Sequence, residues 1–264
     1  MESIFRKDLL AGRVAFVTGG GSGICQGMAR AMMAHGADAV IVGRKADRLE
    51  AAAKAMADET GRECLAAPAD VREPEQVAAA LDAAIARFGK VDVVVNGAAG
   101  NFLAPAAALS PRGFKTVLDI DTAGTFNVSR LAFEKCLGER GGVIINVSAT
   151  LHYAATPLQV HASAAKAAID AMTRTLAVEW GPSGVRVVGI APGPIDGTEG
   201  MTKLAPGDVK AKLERVIPLG RFGRVDEMGT LAVFLASEGA AYIHGTTVVA
   251  DGGAWMTMSL GLLE

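Results

Sequence analysis

The sequence predicts an α/β fold: a single doubly wound, seven-stranded parallel sheet with helices on both faces. Three observations carry that expectation. Short β-branched runs alternate with longer Ala-rich amphipathic segments along the whole chain. The runs are apolar throughout, as strands buried on both faces must be, and strict β–α alternation implies right-handed crossovers. A length of 264 residues, half of them apolar, suits one large domain.

The first strand is read at 13–18 (RVAFVT) and feeds a helix at 24–35. The pattern continues with strands at 38–43 (DAVIVG), 63–68 (ECLAAP) and 91–96 (VDVVVN), separated by helices at 46–58 and 74–88. A long helix at 112–138 precedes the strand 142–148 (GVIINVS), and a helix at 158–180 precedes 185–191 (VRVVGIA). A helix at 225–237 leads to the last strand, 246–250 (TTVVA). No repeat or linker interrupts this order. Segment 194–224 is polar and punctuated by Gly and Pro. Loops of that length are usually lids or binding loops, so the expectation is one domain, 1–264, with a substrate lid at 194–224.

A net charge of -2 offers no basic face for phosphate neutralisation, which argues against nucleic-acid binding. Three cysteines, Cys25, Cys64 and Cys136, are odd in number and lack metal-ligand spacing. They read as reduced thiols in a reducing compartment, and no metal site is expected. No apolar run approaches the ~20 residues that span a bilayer. Neither end resembles a targeting signal, so a cytoplasmic protein without membrane contact is the expectation.

The stretch TGGGSGIC, 18–25, joins the first strand to the first helix. Glycines at such a turn let the backbone approach a pyrophosphate, which then sits on the N–H groups of the helix N-terminus. Gly19, Gly21, Ser22, Gly23 and Ile24 are the candidate contacts. After the second strand, VGRKADR has no carboxylate where NAD-binding folds usually place one for the ribose 2′-OH. Arg44 and Lys45 suit a 2′-phosphate instead, which points to NADP(H), although Lys45 also fits a solvated helix start.

With Gly19 and Gly23 in place, NGAAG at 96–100, Lys166 and APGPIDGT at 191–198, the chain resembles the short-chain dehydrogenase/reductase family over essentially its whole length. The resemblance implies a Rossmann-like sheet and cofactor contacts at Asp70, Val71, Asn96, Ala98, Gly100, Lys166, Pro192, Gly193, Ile195 and Thr198. Asp70 also fits a helix-start turn. Cys25 stands where the family has its third glycine, and a slightly displaced helix start is expected.

The family's usual site has Ser, Tyr, Lys and a helix Asn. Here the first, second and fourth positions are Ala149, Ala162 and Ala123, and only Lys166 remains. Within the family, GNF at 100–102, DIDTAGTFNVSR at 119–130 and the stretch around Lys166 are similar to the peroxisomal-type 2,4-dienoyl-CoA reductases, which also lack the tyrosine. That branch implies NADPH-dependent reduction of a dienoyl-CoA thioester, in unsaturated fatty-acid β-oxidation, to the trans-3-enoyl product. The proton goes to carbon rather than to an alcohol oxygen.

By this resemblance Asp121 orients a proton-giving water, and Lys166 holds the ribose and adds positive field near the oxyanion. A polar residue on an exposed helix face is the other reading of Asp121. Asn101 and Phe102, beyond the fourth strand, are placed to orient the thioester oxygen and pack on the diene. The resemblance puts Arg44, Arg72, Ser110, Pro111, Arg112 and Lys203 near the acyl-CoA, though each alone fits a solvated surface or turn position. It also implies a homotetramer, with the apolar run 248–263 as candidate interface.

Tyr153 reads as a partly exposed lid aromatic, or as proton donor if its loop shifts by two residues. His152 and His161 read as loop and helix polar residues. Two alternatives stay open: a 3-oxoacyl or other carbonyl reductase using Tyr153, and a catalytically silent NADP-binding sensor or scaffold.

Overall fold

Seven strands form one parallel sheet: β1 Val14–Thr18, β2 Asp38–Gly43, β3 Cys64–Pro68, β4 Val93–Asn96, β5 Gly142–Val147, β6 Val185–Pro192 and β7 Thr247–Ala250. Their spatial order is β3-β2-β1-β4-β5-β6-β7, with every pairing parallel. The computed structural model describes residues 4–204 and 208–257. Strand order reverses between β1 and β4, which opens a crevice at their carboxyl ends where ligands bind in folds of this kind.

Helices α1 Gly23–Ala34, α2 Ala46–Thr60 and α3 Pro74–Phe88 connect the first four strands. Pro74 opens α3, where its missing N–H costs nothing, and a left-handed Gly61 ends α2. One face of the sheet is covered by Met28, Met32 and Met33 of α1 together with Met228 and Val233 of α10 Val225–Ala236. Close approach of α1 to α10 depends on Gly229, where a Cβ would come within 2.8 Å of Ala31. The other face is covered by Leu81, Leu131, Leu137 and Leu176.

The long helix expected at 112–138 is interrupted twice. It runs as α4 Pro111–Leu118, a π turn Asp119–Ala123, α5 Gly124–Ala132, a second π turn Phe133–Leu137 and α6 Gly138–Arg140. Periodicity alone does not reveal a π turn, since one extra residue per turn leaves the apolar face nearly continuous. The helix α7 Val160–Trp180 carries Lys166.

Segment 194–224 is more structured than a loop, with α8 Glu199–Leu204 and α9 Asp208–Val216 within it. A small core joins its Ile217 and Phe222 to Ala254 from beyond β7, flanked by Met201 and Leu213. A backbone bridge between Ile195 and Gly223 closes its base. In the C-terminal run, Val249 and Met256 are exposed, and residues 258–263 lie outside the described residues. Among the described residues, no helix is long and apolar enough to cross a membrane.

Candidate active site

The glycine turn after β1 is shaped to receive backbone-bound anions. Gly19 and Gly23 have φ of 69° and 58°, a region that disfavours L side chains. A Cβ on Gly19 would stand 2.8 Å from the Gly97 carbonyl, so β1 and β4 meet tightly there. Ser22 precedes α1 without a side-chain cap, and no acidic residue occupies the first turn. Those N–H groups face the crevice side of the sheet with their positive dipole uncompensated. The turn therefore fits a pyrophosphate.

Cys25 is accommodated from the β4 side. A Cβ at position 97 would collide with its Sγ, and the thiol instead contacts the Gly97 carbonyl at 3.7 Å. Burial pushes that thiol up to about 11, so it stays protonated at neutral pH. Helix α1 still starts at Gly23. Gly97→Ala is expected to lower both thermal stability and NADPH affinity, and Cys25→Gly in the same chain to restore them; melting curves and NADPH titration read both.

Arg44 and Lys45 are exposed at the end of β2, as a 2′-phosphate site needs. Asp70 does not stand alone. Its carboxylate is held in a fork by Arg72, Nη2 at 2.5 Å and Nε at 3.0 Å, and the guanidinium keeps it below the usual carboxylate range. Arg72, expected at the acyl-CoA, is thus tied back onto the loop after β3. Ser110 accepts from Gly113 N at 3.0 Å and Pro111 opens α4, so both serve as helix cap residues here. Arg112 is exposed, and the side chain of Lys203 lies outside the described residues.

Asn96 and its neighbours form a buried scaffold rather than an open contact surface. Its amide donates to Ser129 Oγ at 2.8 Å and to Asn146 Oδ1 at 2.9 Å. Thr18 Oγ1 accepts from Gly97 N and Ala98 N, joining the ends of β1 and β4. Beyond β6, Gly193 N donates to Ala250 O, Ile195 is buried, and Thr198 lies beside Gly23.

The chemistry concentrates at the first π turn. Asp121 is only 1% exposed, which excludes the exposed-face reading. Its Oδ1 accepts from Gly100 N at 2.7 Å, and Lys166 Nζ lies 3.0 Å from Oδ2. The lysine's directed hydrogen bond goes to Val147 O at 3.0 Å, so Oδ2 has a charge partner but no hydrogen-bond donor. That leaves an acceptor position for a water, and Lys166, a three-donor ammonium, keeps a donor in hand. Asp119, two residues earlier, is in a surface pair with Lys115, and the π turn is what separates their fates.

Asn101, expected at the thioester oxygen, instead gives its amide N–H to Gln159 Oε1 at 2.6 Å. Phe102 is half exposed beyond β4 and stacks on His161. Tyr153 is tied to Asp170. Its hydroxyl donates to Asp170 Oδ2 at 3.0 Å, and burial with that carboxylate pushes it up to about 12. Asp170 also takes His152 Nε2 and Thr247 Oγ1, both at 3.0 Å. Sequence reasoning missed Asp170, Gln159, Thr18 and Asn146, whose partners lie far away in the chain.

A glycine turn at the switch point of a parallel sheet, followed by a lysine held at the strand ends, marks a dinucleotide-binding oxidoreductase. A family model described as enoyl-(acyl carrier protein) reductase matches residues 19–255, and the chain belongs to the short-chain dehydrogenase/reductase family, whose cofactor is NAD(P). It is 52% identical over 255 residues to a peroxisomal 2,4-dienoyl-CoA reductase, (3E)-enoyl-CoA-producing, of Danio rerio, covering 96% of this chain and 85% of the relative. It is 38% identical to a probable 2,4-dienoyl-CoA reductase, (2E)-enoyl-CoA-producing, of Bacillus subtilis, covering 92% and 97%. Among solved structures, a citronellol catabolism dehydrogenase of Pseudomonas aeruginosa superposes with a TM-score of 0.85 at 37% identity, covering 97% of this chain and all of that one.

Proposed function

We propose that this chain reduces 2,4-dienoyl-CoA thioesters with NADPH and releases the (3E)-enoyl-CoA. The observation that carries the reading is the buried Asp121–Lys166 pair beside methyl groups at positions 149 and 162. That site has no hydroxyl acid for a carbonyl oxygen, yet it keeps an acceptor for a proton-giving water. Half of the residues are shared with relatives named for this activity.

Gly19, Gly21, Ser22, Gly23 and Ile24 hold the pyrophosphate, Arg44 and Lys45 the 2′-phosphate, and Asp70 with Val71 the adenine side. Pro192, Gly193, Ile195 and Thr198 flank the nicotinamide end, where segment 194–224 acts as the lid. When bound, the nicotinamide supplies a hydride to the δ-carbon of the diene. The two double bonds then shift toward the thioester, leaving a dienolate with its charge on oxygen. Lys166 holds the ribose hydroxyls and lowers the energy of that charge through its field. Asp121 Oδ2 orients the water that protonates the α-carbon, and the 3,4 double bond remains. Hydride and proton together account for both hydrogens gained.

The test is NADPH oxidation with a 2,4-dienoyl-CoA and, separately, a 3-oxoacyl-CoA. Turnover of the dienoyl substrate is expected. Turnover of the 3-oxo substrate alone would favour the carbonyl reductase, and tight NADPH binding without turnover the silent module. Tyr153→Phe is expected to keep kcat within about threefold while losing about 1 kcal/mol of stability with the Asp170 bond. Size-exclusion chromatography with light scattering tests the homotetramer that accompanies this reading.

A further inference from the structure

We propose that His161 is a further catalytic residue, donating a hydrogen bond to the thioester oxygen as the dienolate forms. The proposal rests on the dienoyl-CoA reading above and deepens it, because that reading names no direct donor for the oxyanion.

His161 sits in the first turn of α7 and is 0% exposed, yet neither ring nitrogen has a hydrogen-bond partner. A neutral imidazole carries one donor and one acceptor. Leaving such a group buried and unpaired costs about 1–3 kcal/mol, and native proteins keep few of them. An apolar residue would fill this place in a plain core without that cost.

Its place in the fold supplies the reason. The imidazole stacks on Phe102, with ring centroids 4.3 Å apart and 26° between planes. Two residues earlier, Gly100 N holds Asp121. Two residues of chain reach at most about 7 Å, so His161 and the Asp121–Lys166 pair flank one short segment at the end of β4. Among the neighbouring donors, one Asn101 amide N–H goes to Gln159 and the Tyr153 hydroxyl to Asp170, while Lys166 gives one of its three donors to Val147 O and stands beside the Asp121 charge. His161 retains an N–H with no partner.

Phe102, 41% exposed, covers the imidazole, and Leu103 beside it is also exposed. An acyl thioester that packs on these apolar side chains turns segment 101–103 aside and brings its carbonyl to the uncovered ring. His161 gives up no proton: it donates a hydrogen bond, while the α-carbon takes its proton from the water on Asp121. The histidine is thus ready for the next turnover without reprotonation.

The experiment compares wild type with His161→Phe, His161→Leu and His161→Gln on a 2,4-dienoyl-CoA and NADPH. Loss of the donor is expected to lower kcat by ~10²–10³-fold in the Phe and Leu variants, as for other oxyanion donors, with little change in the NADPH Kd. The Gln variant, which keeps an N–H, is expected to recover at least part of that loss. A second readout uses the dienoyl-CoA bound with NADP+, where no hydride is available. A donor on the thioester oxygen polarises the conjugated system and red-shifts its absorbance, so the shift should appear in wild type and vanish in His161→Phe. Full activity in a folded variant lacking the N–H, or no red shift in active wild type, overturns the role of His161 and leaves the dienoyl reading standing. Wild type that does not reduce the dienoyl-CoA overturns the reading on which the proposal rests.

Discussion

Asp121→Asn is expected to lower dienoyl-CoA reduction by ~10²–10⁴-fold, the range for losing a group that directs proton transfer. The isosteric amide can still accept from Gly100 N, so the β4 loop keeps its place. What changes is the charge. Lys166 is 8% exposed, and without the carboxylate its ammonium is buried with only the Val147 carbonyl. Breaking a buried pair from one side typically costs about 3–5 kcal/mol, so the melting temperature should fall as well. The double variant Asp121→Asn/Lys166→Met separates the two effects. It removes both charges, and we expect stability to return while activity stays lost. Kinetics and thermal melts of the two single variants and the double variant give the answer. Recovery of activity in the double variant would remove Asp121 from the proton path.

Arg44→Ala should raise the NADPH Kd by about 10–100-fold, since a hydrogen bond to a charged group contributes about 1.5–3 kcal/mol. NADH, which lacks the 2′-phosphate, should bind the variant as it binds wild type. Arg44 stands exposed at the end of β2, and its field reaches Asp70. Lys45 adds charge but lacks the planar fork that matches a phosphate. Titration of both nucleotides against both proteins distinguishes recognition of the phosphate from a general loss of the site. An equal fall for NADH and NADPH would point to the latter.

The sheet was legible because its central strands β1, β2, β4, β5 and β6 are buried on both faces and read as continuous apolar runs. The glycine turn and the exposed cations after β2 were legible for a related reason: both are local in sequence. Legibility stopped where the partner is distant or the backbone departs from a regular period. Nothing in DIDTAGTFN tells Asp119, in a surface pair, from Asp121, in a buried one; the π turn decides. Asn101 and Arg72 carried the right chemistry for a substrate, but their donors close onto Gln159 and Asp70. Tyr153 showed the reverse case, an apparent substitute acid whose hydroxyl is turned to Asp170, seventeen residues on. Composition marked segment 194–224 as unusual, while its helices and small core came from long-range packing that composition does not encode.

In the proposed reaction the proton reaches the α-carbon, which sets the double bond of the product. A dienolate protonated at the γ-carbon would give the (2E)-enoyl thioester, the product named for the Bacillus subtilis relative. The deciding measurement is reduction of a 2,4-dienoyl-CoA in deuterated water with NADPH deuterated at the transferred position, followed by NMR of the product. We expect cofactor deuterium at the δ-carbon, solvent deuterium at the α-carbon and a double bond between carbons 3 and 4. Solvent deuterium at the γ-carbon with a 2,3 double bond would contradict the proposed reaction.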